Sequence, residues 1–348
     1  MLLHKNFASF LLLLSCIITF FSACNNDLEL VGNRVEIPVV YGAISSTDTF
    51  VYIRLERAFG DNNIAPGQIA KNLDSLYYTD AQVTISLLDT IPKIFSLEKI
   101  DATEFGFPRD TGIFINTPNY IYKADKSQFV FKPGGEYILT INAKGKIYTA
   151  KTLLINEVTL QIPSQGSSLG WIPRIKEVQS QNPRFDYEPL PGTNRDADPA
   201  ILDMSVRFNY SERNITVSND YVSKSLIIPV IQSFIPDDDT DFRYSANKIF
   251  EHIGKTLERS PDIDRYFTSA DFILTCGGKE FLSYSEALAA NAGITGTQDF
   301  PSYTNIEGGQ GIFSSKNTQE FKGFYLTKAT LDSLAISRYT TGLNFRTQ

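Results

Sequence analysis

The chain has 348 residues, 42% of them hydrophobic and 20% charged, with a formal net charge of −7. That balance belongs to a folded globular protein and excludes a disordered chain or a membrane bundle. It carries only two His and three Cys; once His4 is assigned to the N-terminal leader, one His remains, and two-His metal sites, zinc fingers and facial triads are excluded.

Residues 1–23 read as a secretory signal. Lys5 supplies the positive n-region and Phe7 to Phe21 an apolar run of 15 residues, shorter than the roughly 20 that a membrane-spanning helix needs. The run ends in Phe21-Ser22-Ala23-Cys24 and is followed by polar Asn25, Asn26 and Asp27. Small residues before a Cys at the end of such a run resemble a bacterial lipobox, in which cleavage precedes the Cys and its thiol is acylated. The rival Leu13-Leu14-Ser15-Cys16 would leave apolar Ile17-Ile18 at the new terminus, so Cys24 is the expected lipidation site and residues 24–34 the tether. An ordinary secretory signal, with Cys24 a bystander, is the alternative. Asn25 after the Cys resembles the pattern of Gram-negative sorting to the outer membrane, on its periplasmic or cell-surface face. Cleavage would leave 31 basic against 39 acidic residues and no cluster of four Lys or Arg, which argues against nucleic acid as a partner. With Cys16 removed and Cys24 acylated, Cys276 stands alone and no disulfide framework forms.

Residues 35–155 read as short strands. Val51, Ile53 and Leu55 alternate with polar neighbours, as do Val83, Ile85 and Leu87, and Tyr137, Leu139 and Ile141. Lys144-Gly145-Lys146 predicts a hairpin turn before Ile147 to Leu153. About seven such strands without a convincing helix predict an Ig-like or prealbumin-like β-sandwich. Residues 156–199 hold six prolines, which predicts a loop or linker. In residues 200–348 strand patterns at Ala200–Tyr210 and Val222–Phe234 mix with helical spacing over Ser245–Arg259. A capping box at Ser283-Tyr284-Ser285-Glu286 predicts a second helix ending at Gly293. The expected whole is mainly β, a sandwich followed by an α+β domain with a sheet and a few helices.

Several segments have a chemical reading beside a structural one. Gly166-Ser167-Ser168-Leu169-Gly170 matches the hydrolase nucleophile elbow, but Pro163 precedes it and Pro173 follows, so neither flank fits and a Gly/Ser loop is expected. Cys276 with His252 would form a thiolate pair only if they met in an electropositive pocket; a buried strand Cys is the alternative. Asp237, Asp239 and Asp241 have the spacing of a calcium loop. Phe242 and Lys248 stand where an EF-hand needs Gly and Glu. An irregular calcium site, aided by Asp196 and Asp198, or a solvated acidic turn remains, and no other cofactor is expected. Trp171, Phe185 and Tyr187 in the Pro-rich stretch would either meet a sugar or partner protein or pin the loop to its core.

The strand pair Val39 to Ile44 and Phe50 to Arg57, the hairpin around Gly135-Glu136-Tyr137 and Gly145 to Tyr148, and Tyr303-Thr304-Asn305-Ile306-Glu307-Gly308-Gly309-Gln310-Gly311-Ile312-Phe313 together resemble one family, the Bacteroidota lipoproteins grouped as domain of unknown function 4249. The resemblance spans most of residues 30–315 and implies an envelope lipoprotein, with a TonB-dependent β-barrel uptake receptor as the partner inferred from that setting. The expected function is a non-enzymatic binding or accessory component held on the outer membrane by lipid. A carboxylate-based, glycan-directed envelope hydrolase and a structural assembly lipoprotein are the alternatives.

Overall fold

Alternation of period two dictates most of what the chain builds. A computed structural model of the protein describes residues 36–58, 66–89, 92–110, 112–128, 131–173, 182–190, 193–236, 241–292 and 302–347. The expected signal, Cys24 and the expected tether lie outside the described residues. The first half supplies strands β1 (Ile37–Ser45), β2 (Phe50–Ala58), β3 (Gln82–Leu87), β4 (Lys93–Asp101), β5 (Tyr120–Asp125), β6 (Glu136–Ala143) and β7 (Lys146–Leu153), with two four-residue helices, α1 (Pro66–Ile69) and α2 (Leu73–Leu76). The middle supplies β8 (Val158–Ile162), β9 (Ser168–Leu169) and β10 (Arg184–Pro189). The last part supplies β11 (Ile201–Asn214), β12 (Val222–Phe234), β13 (Asp241–Arg243), α3 (Ala246–Thr256), β14 (Ile263–Gly277), α4 (Lys279–Ala292), β15 (Gln310–Leu326) and α5 (Lys328–Ile336).

The molecule is mainly β, with one long mixed sheet in the order β12-β11-β14-β15-β1-β2-β5-β4-β3-β6-β7. In the first half it folds over on itself. β4 turns the corner: Val83 pairs with its Leu97, whereas its Ile100 pairs with Ile121 of β5. Val51, Ile53 and Leu55 therefore bury in one core with Val83, Ile85, Leu139 and Ile141, the interior of a sandwich. The β6–β7 hairpin turns through Lys144 at φ 51° and Gly145 at φ 72°, the two positive values that a two-residue turn of this hand requires.

β15 joins the two halves. Its first part runs parallel to β1, with Val40 beside Gly311, and from Lys316 onward it pairs antiparallel with β14. On its other flank Glu307 bridges to Thr149 of β7, so residues from the second half close the sandwich, and Ile306 and Phe313 bury in the first core. Gly311 lies at φ +106°, and a Cβ there would stand 1.9 Å from the Val40 carbonyl oxygen. No other residue fits this strand crossing. The glycine-rich run at 308–311 is thus a turn and a close backbone approach.

A second core lies on the same side of the sheet, beneath β11, β14 and the end of β15. Its lid is the small sheet β13-β10-β8, with α3, α5 and Trp171. Ile249, Phe250 and Ile253 of α3 face it at helical spacing. The described parts of residues 156–199 therefore pack into this core rather than run as a linker. Pro163 and Pro183 stand just outside β8 and β10 and Pro189 ends β10, positions where a missing N–H breaks few ladder bonds. The helix expected from Ser283 starts four residues earlier, at Lys279, so the capping box lies inside it.

Candidate functional site

An opening among the described residues lies on the opposite, outer face of the long sheet. Leu202 and Met204 of β11 and Leu274 and Cys276 of β14 point into the second core, so Ile201, Asp203, Thr275 and Gly277 point outward, alongside Lys316 of β15. Helix α4 crosses over them. Phe281, Tyr284, Ser285 and Leu288 stand at i, i+3, i+4 and i+7, one stripe of the helix turned to the sheet. Between stripe and strands lies a cavity of about 400 Å³. None of the described side chains of α4 is fully buried, and Leu288 is 53% exposed. The stripe, apolar except for Ser285 and the Tyr284 hydroxyl, therefore borders open space. Gly277 forms the floor, where a Cβ would come within 3.0 Å of Ile201 and 3.2 Å of Phe281.

The helix is held at its first turn. The Gly278 N–H donates to the Ser315 carbonyl at 3.0 Å. Glu280 Oε2 accepts from Thr152 Oγ1 at 3.0 Å and from Ser314 Oγ at 2.8 Å, linking α4 to both β7 and β15. Farther along, the Tyr284 hydroxyl meets that of Tyr41. Partial burial, with Tyr284 second, raises the Tyr41 pKa above the usual phenol value.

Three polar side chains around the cavity have partners within the chain. Asp203 Oδ1 accepts from the Ser233 N–H at 2.6 Å. The hydroxyls of Thr275 and Thr318 lie 3.3 Å apart, and Lys316 Nζ stands 2.8 Å from Asp48. Farther up the same face, Arg207 binds both carboxylate oxygens of Glu320, at 3.0 and 2.7 Å, and Lys322 adds a third contact at 3.1 Å. Hydrogen bonds from Arg207 and then Lys322 pull the Glu320 carboxyl down to about 2. Burial pushes the Cys276 thiol up to about 12, so it stays protonated and inert. This surface can hold an apolar body.

The residues singled out in the sequence are scattered. Trp171, Phe185 and Tyr187 are all buried to 1% exposure or less, which corrects the contact reading in favour of anchoring. Trp171 Nε1 donates to the Tyr244 hydroxyl at 2.9 Å, and Phe185 stacks on Phe242 with ring centres 5.2 Å apart. Their strand neighbours point them into the second core, so no ring face is left for a ligand. Ser168 lies on two-residue β9, paired with Tyr325 of β15, rather than on an elbow between strand and helix. Asp237 and Asp239 lie outside the described residues. Asp241 is paired with Arg184 at 2.6 Å, and Asp198 accepts from Asn156 at 2.8 Å. Among the described residues no three His, Cys, Asp or Glu side chains form a group able to hold a metal ion. No helix among them is long and apolar enough to cross a membrane. Sequence reasoning missed Phe281, Glu280 and the Gly277 floor; the Gly-Gly pair followed by the 281–288 stripe was their signal.

No family model matches the chain, and no curated protein matches it.

Proposed function

We propose that the protein is a lipid-anchored outer-membrane component that binds and does not catalyse, seating an apolar segment or ligand beneath α4. One observation carries the reading: the polar side chains Asp203, Thr275 and Lys316 at the cavity are spent on contacts within the chain, while the apolar stripe of α4 borders open space. An uncommitted apolar stripe gains free energy when covered, at ~25 cal/mol per Å². The lipobox at Cys24 and the resemblance to the lipoproteins of domain of unknown function 4249 support the setting, and a β-barrel uptake receptor is the partner of choice there.

The test is purification of the tagged lipoprotein from envelopes, in parallel with a Leu288→Asp form. A β-barrel protein that co-purifies with the parent and is lost with Leu288→Asp is the expected outcome. The proposal fails if the purified protein turns over glycans, peptides or esters and one Ser or acidic substitution abolishes that turnover. Cys24→Ala should release the protein from the membrane fraction and abolish fatty-acid labelling.

A further inference from the structure

A second opening lies on the outer face of the sandwich, where β4 passes from one layer to the other. Its floor is Glu98 on β4, Lys123 on β5 and Phe50 on β2, its rim is Ser96, and Phe105 from the 3-10 turn Ala102–Phe105 stands as its wall. The space measures about 450 Å³. From Phe50 a row of rings continues across the face: Phe50 to Tyr52 at 6.1 Å between centres, then Tyr52 to Phe107 at 6.2 Å. Phe105 and Phe107 are 51% and 57% exposed.

These rings do not wave in solvent. Asp101 Oδ1 accepts the N–H groups of Thr103 at 3.0 Å and Asn119 at 2.9 Å, and Asn119 Nδ2 donates to the Phe107 carbonyl at 2.9 Å. Gly106, at φ +82°, closes the turn between the two phenyl rings. The wall is built before any ligand arrives, which lowers the ordering cost of binding.

The polar groups differ from those under α4. The side chains of Ser96 and Glu98 have no hydrogen-bond or ion-pair partner among the described residues. Lys123 is the cross-strand neighbour of Glu98, yet its ammonium lies over the rings of Phe50, at 3.9 Å, and Phe105, at 4.7 Å, instead of on that carboxylate. Hydroxyl and carboxylate thus stand open beside half-exposed Phe105, and the ammonium is seated against the rings. An apolar ligand would strip water from Glu98 and Lys123 without replacing it. An anion would meet Glu98 and Asp125. A ligand with an apolar C–H face and a rim of hydroxyls satisfies both halves of the site, through ring stacking on one side and hydrogen bonds on the other.

We infer that this cleft binds a neutral carbohydrate, with one sugar ring against the exposed side of Phe105, its hydroxyls on Ser96, Glu98 and Lys123, and further units of the chain crossing Tyr52 and Phe107. The inference stands independently of the cavity beneath α4. Failure of either test leaves the other intact.

The experiment is calorimetric titration of the purified lipoprotein in detergent with soluble gluco-, galacto-, manno- and xylo-oligosaccharides. At least one should bind with a dissociation constant below about 1 mM, and Phe105→Ala and Glu98→Gln should each weaken it about tenfold or more. Phe105 is half exposed, so the variant should melt like the parent; Phe107→Ala serves as a second reading if it does not. Leu288→Asp in the α4 stripe should leave the titration unchanged. The inference is overturned if no oligosaccharide binds at about 5 mM, if Phe105→Ala and Glu98→Gln bind as the parent does, or if only a proline-rich peptide occupies the ring row.

Discussion

One continuous outer face has two characters. Over β11, β14 and the end of β15 it is a lattice of settled polar contacts, with Arg207 on Glu320 and Asp271, Asn209 on Ser269 and Asp271, and Thr275 on Thr318. Over β2, β5 and the end of β4 the same face carries rings and charges that are only partly committed. The inner faces beneath both are ordinary cores of alternating apolar side chains. Burial therefore sets the fold of each half alike, and the halves part company only where the sheet meets water. The settled face is open only beneath α4, at an apolar cavity; the aromatic face keeps rings and polar groups together at its cleft.

The comparison can be strained most severely at the joint between the halves. Gly311→Ala places a Cβ on the Val40 carbonyl at a backbone angle that L residues rarely adopt, and should cost more than about 4 kcal/mol in urea unfolding, with the sandwich opened first. A loss confined to the second half would contradict the closure role of β15. Next come the rings. Trp171→Ala removes a buried indole and its bond to Tyr244 and should cost about 3–5 kcal/mol, whereas Phe107→Ala should stay within about 0.5 kcal/mol. Equal costs would erase the distinction between anchoring and exposed rings.

Glu280→Ala leaves the hydroxyls of Thr152 and Ser314 without their shared acceptor and should cost about 1–3 kcal/mol, with faster amide exchange in α4 than in α3. The smallest effect tests the settled face. The Glu320 carboxyl sits near 2 in the folded protein, below its ordinary unfolded value. Its contribution is therefore full above the unfolded value and is lost as pH falls from about 4 toward 2. Partial exposure holds that contribution below about 1 kcal/mol. Glu320→Gln should flatten acid unfolding by that amount and leave stability at pH 7 lower than the parent's.

Much of the first half was legible because its strands are local and half buried. The alternation at 49–57, 81–87 and 136–141 placed β2, β3 and β6 within a residue or two of their ends. β15 was harder. Its C-terminal end reads as a strand over 321–327, but nothing periodic in Gln310 to Lys316 says that it lies beside β1. The Pro-rich middle misled for a related reason: proline marks where a strand stops, and β8 and β10 fit between the marks. The functional surfaces were least visible. Trp171, Phe185 and Tyr187 stood out by composition and proved to be core, while Phe50 and Tyr52 were hidden in a good strand pattern. Their exposure depends on which face of that strand has a partner layer, and that is decided by β3, β6 and β7 far along the chain.

The parallel seam between β1 and β15 also fixes an order of assembly. Asn317 on β15 bonds Ser46 across 271 residues of sequence. As the chain is made from its N-terminus, β1 waits with one unpaired edge until β15, the last of the described strands, is available, and an open edge of this kind recruits other strands. The first half, by position the earliest made, is among the last parts completed. A truncation anywhere before Gln310 would thus damage the sandwich at its beginning as much as the sheet at its end.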